Sequence, residues 1–235
     1  MRRAFFIVGP TATGKSELAA DVAGEIGAEI VSADAFQIYR GLDLLTAKPD
    51  ASTLAKAPHH LIGTAPLHEE MNAEKYRCAA TRAIDEINSR GKLAMVVGGS
   101  GLYIRALTHG LAPVPETDRR LREKLNAMRL DELYAQLIEF DPEAAQKIDT
   151  KNRRRVARAL EICLLTGKRA SAQRERWARD AGNRACEDWS ADEIVCITIV
   201  PPDCAPTIRR SARSVTSPRD RWLLMQTRAY FRSLV

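Results

Sequence analysis

The stretch GPTATGKS, residues 9 to 16, has the spacing of a phosphate cradle. Its members are Gly9, Pro10, Thr11, Ala12, Thr13, Gly14, Lys15 and Ser16, and together they satisfy GxxxxGK[ST]. Glycines at these positions let backbone N–H groups turn toward an anion, and a helix starting behind them adds its positive dipole end. Lys15 would place its ammonium on the terminal phosphate, and Ser16 would coordinate Mg²⁺. The pattern identifies a pyrophosphate site and leaves the reaction open.

Two further places could supply that reaction. Asp34 follows a short apolar run, Glu29–Val31, and a lone aspartate there is either a turn cap or a functional carboxylate. Ligands of open α/β sheets bind at the carboxyl ends of strands, where Asp34 would serve as general base or metal ligand. Gln37, Tyr39 and Arg40 behind it could read a base or line a pocket. The stretch VVGGSGLYIRAL, residues 96–107, is a second strand–glycine–helix junction. Its glycines suit an ordinary turn, while Ser100 at a helix start could bond a phosphate or a substrate. A third feature is basic. Five of the residues 151–158 are Lys or Arg, with no acid among them. Such a run is either a solvated helix face or a grip on phosphates, and arginine favours bidentate contacts.

The elements that must position these residues alternate. Ala4–Val8 reads as a strand, Lys15–Ile26 as a helix, Glu29–Val31 as a strand and His60–Ile62 as a third strand. Ala73–Arg90 reads as a helix closed by Gly91, Leu93–Val97 as a strand, and residues 100–107 as a helix. Continuous apolar strands separated by helices imply a parallel sheet covered on both faces. From residue 113 to about 180 every periodic segment is helical, and residues 192–202 return to a strand. The expected fold is therefore α/β: a parallel sheet flanked by helices, of the P-loop NTPase-like kind, with an inserted all-helical subdomain. The expected divisions are a core at 1–112, a helical insertion at 113–185, a return strand at 186–203, and an Arg/Ser-rich tail at 204–235.

Composition narrows the class. Apolar residues make up 45% of the 235 and charged residues 28%, an ordinary globular balance. No run of roughly 18 apolar residues indicates a membrane helix. Five cysteines form no CxxC and four histidines no HExxH, so neither zinc nor a disulfide framework is expected, and a reducing cytoplasm suits the chain. The net charge of +6 is concentrated: residues 203–235 hold seven Arg and two Asp, leaving +1 for the rest. Overall charge therefore does not by itself specify nucleic acid.

Taken together, GPTATGKS, VSADAFQIYRGLDLLTAKP, APHHLIG, VVGGSGLYIRAL and RRRVARALEICLLTGK resemble, in order and spacing, the tRNA dimethylallyltransferases, or tRNA isopentenyltransferases. The resemblance runs from about Phe5 to Pro202. It implies that the cradle, Gly9 to Ser16, holds dimethylallyl diphosphate rather than ATP, with Mg²⁺ on Ser16. The dimethylallyl group would move to the exocyclic amine of the adenosine beside the anticodon, and pyrophosphate would leave. Asp34 would accept the amine proton, with Lys15 and Ser100 as the other catalytic groups. Asp34, Ala35, Phe36, Gln37, Ser100, Arg122, Arg154, Arg155 and Arg158 would contact the tRNA anticodon stem-loop. Ser100 stands where the family usually has threonine, which keeps the hydroxyl. A monomer is expected, with no membrane partner. Adenylate isopentenyltransferases share the cradle and the aspartate, and small-molecule P-loop kinases share the cradle. A non-catalytic remnant binding diphosphate or RNA is a further alternative. At about Cys204 the family's motifs, lysine and hydrophobic periodicity stop together. A shifted reading frame or a truncated paralogue is the expectation there.

Overall fold

The computed structural model describes residues 2–112, 115, 117–181, 194–199 and 212–215. It divides into two compact units, Met1–Gly110 with Ala185–Val235, and Leu111–Arg184.

The first unit is built on one parallel sheet. Its strands are β1 (Ala4–Val8), β2 (Glu29–Ser32), β3 (His59–His60), β4 (Ala94–Gly98), β5 (Ile194–Ile199) and β6 (Ala212–Val215), in spatial order β3-β2-β4-β1-β5-β6. Every pairing is parallel. The inner strands β1, β2 and β4 are almost wholly buried, which explains their continuous apolar sequence. Helix α1 (Lys15–Ile26) packs Ala19, Ala20 and Ala23 against Phe5, Ile7 and Met95 on one face. On the other face α3 (Ala73–Ser89) and α4 (Gly101–His109) bury Tyr76, Ile84, Tyr103 and Leu107 with Phe6, Val31 and Val96. Alternation along the strands sorts these side chains to the two faces.

The sequence-based boundaries shift in places. The third strand starts and ends earlier than expected, because Leu61 takes a left-handed φ of 62° and Gly63 one of 59°, which turn the chain out of the sheet. The single-turn helix α2 (Ala51–Leu54) was not anticipated; Asp50 initiates it by accepting from Thr53 N at 2.8 Å. The expected return strand falls at Ile194–Ile199, beside β1. Most of 204–235 lies outside the described residues, but β6 was not foreseen there and pairs with β5.

Among its described residues, the regular elements of the second unit are all helices. Its helices are α5 (Arg119–Ala127), α6 (Leu130–Phe140), α7 (Pro142–Lys147), α8 (Arg153–Thr166) and α9 (Ala170–Ala181). Leu125, Leu133, Leu137, Val156, Leu160 and Cys163 form its core. Helix α8 begins inside the basic run 151–158 and continues beyond it to Thr166, bounded by an Asn152 cap and left-handed Gly167. Asp141 is fully buried yet satisfied, accepting from Ala144 N, Ser171 N and Ser171 Oγ at 3.0, 2.8 and 2.7 Å. That cluster ties the start of α7 to the start of α9.

Candidate active site

Parallel pairing brings the carboxyl ends of β1, β2 and β4 to one edge of the sheet. Because β4 lies between β1 and β2, the loop after it is wedged between the phosphate loop and the segment carrying Asp34. Its glycines are explained by that crowding. A Cβ on Gly98 would stand 2.2 Å from Ala33 O, and one on Gly99 would stand 2.8 Å from Gly9 O. No larger residue fits either position without moving backbone.

The wedge also fixes Asp34. Ser100 N donates to Ala33 O at 3.1 Å, and Ser100 Oγ accepts from Ala35 N at 2.9 Å. The residue is thus stitched to both neighbours of the aspartate. Asp34 Oδ1 accepts from Phe36 N at 2.9 Å and Gln37 N at 3.2 Å. One oxygen of Asp34 thus caps the turn, while Oδ2 has no hydrogen-bond partner among the described residues. The carboxylate is partly exposed and fixed in direction, an arrangement suited to accepting a proton.

In the phosphate loop, Gly14 adopts φ 75° and starts α1 with no side-chain cap. By contrast Asn72, Asp118, Asp141 and Asn152 spend a side-chain oxygen on the first turns of α3, α5, α7 and α8. The first turn of α4 also has no side-chain cap, because Ser100 Oγ is turned to Ala35. Two helix starts with open amides thus face this edge. Lys15 is buried, its Nζ donating to Pro10 O and, at 3.2 Å, to Thr13 Oγ1. Burial pulls its ammonium below the ordinary lysine value, and the charge of Asp34 opposes that shift. Burial likewise raises the Tyr103 hydroxyl, with Tyr39 and Asp34 adding to the effect. Tyr103 stacks on Tyr76 at 4.1 Å beside this site, a contribution no local sequence signal announced.

The motif around Gln37 is largely self-supporting. Gln37 Nε2 donates to Ala47 O at 3.0 Å, and Arg40 Nε to Gly63 O at 3.2 Å. Lys48 Nζ meets Tyr39 O at 2.5 Å and Asp43 Oδ1 at 2.6 Å, and Tyr39 OH accepts from Met71 N at 3.0 Å. Side chains that could have read a base thus hold the loop in shape, while Phe36 projects with 67% of its surface exposed.

The basic run separates in the same way. Arg153 caps the end of α5 through the carbonyls of Leu125, Asn126 and Met128. Arg158 and Arg122 both pair with Glu161 at 2.7 Å. Lys151, Arg154 and Arg155 are exposed. For the metal, Ser16 contributes a half-buried hydroxyl at the first turn of α1, and no cluster of three His, Cys, Asp or Glu exists among the described residues. Mg²⁺ commonly takes one or two protein ligands plus substrate phosphates, so this donor set fits a metal that arrives with a diphosphate.

Comparison with known proteins bears on the family. The sequence model of the family described as IPP transferase matches residues 37–207. The tRNA dimethylallyltransferase of Akkermansia muciniphila is 44% identical over 172 residues, spanning 73% of this chain and 58% of that protein. The tRNA dimethylallyltransferase 1 of Citrifermentans bemidjiense is 48% identical over 170 residues, spanning 72% and 56%. The chain thus spans little more than half the length of these relatives. Among solved structures, a eukaryotic dimethylallyltransferase acting on tRNA superposes with a TM-score of 0.67 at 25% identity, covering 86% of this chain and 50% of that one. The full-length tRNA isopentenylpyrophosphate transferase of Bacillus halodurans gives 0.52 at 33% identity, covering 86% and 61%. On these matches, the chain belongs to the IPP transferase family.

Proposed function

We propose that this protein transfers a dimethylallyl group from dimethylallyl diphosphate to the N6 amine of the adenosine 3′-adjacent to the anticodon of tRNA. The observation that carries the reading is Asp34: a carboxylate with one oxygen locked in a turn and the other open, beside a phosphate cradle. In the reaction the allylic C–O bond breaks, its electron pair leaves with pyrophosphate, and a new C–N bond forms. The proton lost from the amine goes to Asp34 Oδ2. The Lys15 ammonium and the open amides of α1 stabilise the charge gathering on the departing diphosphate. Mg²⁺ held by the Ser16 hydroxyl and the diphosphate would supply further charge neutralisation. Ser100 keeps Asp34 aimed, and Phe36 offers an aromatic face for an unstacked base, which the acceptor must become for its amine to reach Asp34. Arg154 and Arg155, exposed on α8, would contact the RNA backbone. This chemistry belongs in the cytoplasm, where tRNA is modified.

The test is transfer of labelled dimethylallyl from its diphosphate to unmodified tRNA, with AMP as a competing acceptor. Label in tRNA that disappears in Asp34→Ala is the expected result. Label only in AMP would instead assign a free-nucleotide acceptor, and no transfer by a folded chain that binds the diphosphate would overturn the proposal.

A further inference from the structure

Glu161 is a carboxylate inside the core of the helical unit, with its side chain 1% exposed. Its Oε2 receives Arg122 Nη2 from α5 and Arg158 Nη1 from the preceding turn of α8, both at 2.7 Å. Its Oε1 is buried with no hydrogen-bond partner among the described residues. The two arginines keep 37% and 28% of their side-chain surface exposed. Arg158 Nη2 also donates to Pro115 O at 3.0 Å, which leaves that guanidinium little freedom to turn.

As a device for stability this arrangement is poor. A buried ion pair seldom outperforms well-packed apolar residues, and a carboxylate oxygen without a donor adds a desolvation cost. What it supplies is orientation. One oxygen holds two guanidinium heads side by side, and each retains N–H donors on its partly exposed side. We infer that Glu161 is a positioning residue for RNA binding, holding Arg122 and Arg158 so that their remaining donors meet the acceptor's phosphate backbone. The inference rests on the tRNA reading given above. It separates these two arginines from Arg154 and Arg155, which have no such carboxylate support among the described residues and act as exposed charges.

Charge alone leads to the opposite expectation. Glu161→Gln makes the protein more positive, so simple attraction would tighten RNA binding. Positioning requires that binding weaken. The experiment is the affinity of the full chain for an unmodified tRNA anticodon stem-loop, in Glu161→Gln, Arg122→Ala and the double variant, with diphosphate affinity measured in parallel. Glu161→Gln is expected to weaken stem-loop binding about tenfold with diphosphate affinity unchanged. The double variant should lose clearly less than the two single losses multiplied, because Glu161 acts in part through Arg122 and in part through Arg158. Unchanged or tighter binding in Glu161→Gln, or losses that simply multiply, would overturn the inference. If Glu161→Gln does not fold, Glu161→Asp carries the cycle: it should weaken binding with Arg122 present and have less effect in its absence, and equal effects would overturn the inference. An unaltered chain that fails to bind the stem-loop would overturn the tRNA reading itself, and this inference with it.

Discussion

Strand β2 carries one carboxylate at its start and another just past its end, and the two have opposite environments. Glu29 is 5% exposed and both its oxygens are engaged, Oε2 by His60 and Arg90 at 2.7 Å and Oε1 by Lys92 at 3.0 Å. Burial would push its carboxyl up, but the hydrogen bonds from His60, Lys92 and Arg90 prevail and hold it down at about 2. Asp34 is more open, with one oxygen bound to two backbone amides and the other free of partners among the described residues. A nearly buried carboxylate with donors on both oxygens has little capacity left for a substrate. A carboxylate that is anchored and half-satisfied has both a fixed direction and an open acceptor. The same residue class thus serves packing at one end of the strand and, on the proposed function, chemistry at the other.

The sharpest way to break this comparison is to exchange the consequences. Asp34→Ala should reduce dimethylallyl transfer by about 10³-fold, the scale of a lost general base, with a stability loss of only about 1 kcal/mol from the turn cap it removes. A variant that melts early but retains activity would show that Asp34 belongs with Glu29. Gly98→Ala tests the wedge behind Asp34. Its Cβ would stand 2.2 Å from Ala33 O, so a destabilisation of about 3 kcal/mol in denaturant titration and a loss of transfer are expected together.

Glu29→Gln should show the reverse of Asp34→Ala. A loss of about 1–2 kcal/mol is expected, moderated because Arg90 and Lys92 are 46% and 44% exposed and so screened by solvent. Diphosphate binding should be unaffected. The pH dependence has a defined sign. The folded pKa lies below the ordinary value of 4.5, so the stabilisation is complete above that value and disappears as pH falls toward about 2. Chemical denaturation between pH 5 and 2 should therefore show an acid-dependent loss in the unaltered protein that Glu29→Gln lacks. The smallest effect is expected from Ser100→Ala, which removes the acceptor for Ala35 N. About 1 kcal/mol of stability and a severalfold loss of rate should result, and Ser100→Thr should restore both.

Much of the sheet's inner architecture was legible because it rests on local pattern. The apolar runs at 4–8 and 93–97, the glycine-rich turns behind them and the amphipathic stretch at 15–26 are each sufficient to specify an element, and they sit where the sequence places them. The phosphate loop was legible for the same reason, since its chemistry lies in consecutive residues. The third strand was misplaced by its left-handed Leu61, an uncommon conformation for a branched residue that only a tertiary setting selects. Strand β6 has little apolar pattern of its own, and its pairing with β5 is a long-range property.

The roles of the arginines illustrate the same limit. Sequence composition groups the bases of residues 151–158, and an i,i+3 spacing hints that Arg158 can reach Glu161. Nothing local says that Arg122, thirty-nine positions away, shares that carboxylate, or that Arg153 turns back to cap α5. Residue types and short spacings determined the cradle, the carboxylate and the alternation of strand and helix, because those depend on neighbours in the chain. Which oxygen of Asp34 stays open, why Gly98 and Gly99 admit no side chain and which bases of α8 stay exposed were decided by the tertiary structure. Each depends on groups that meet only when separate strands and helices pack together.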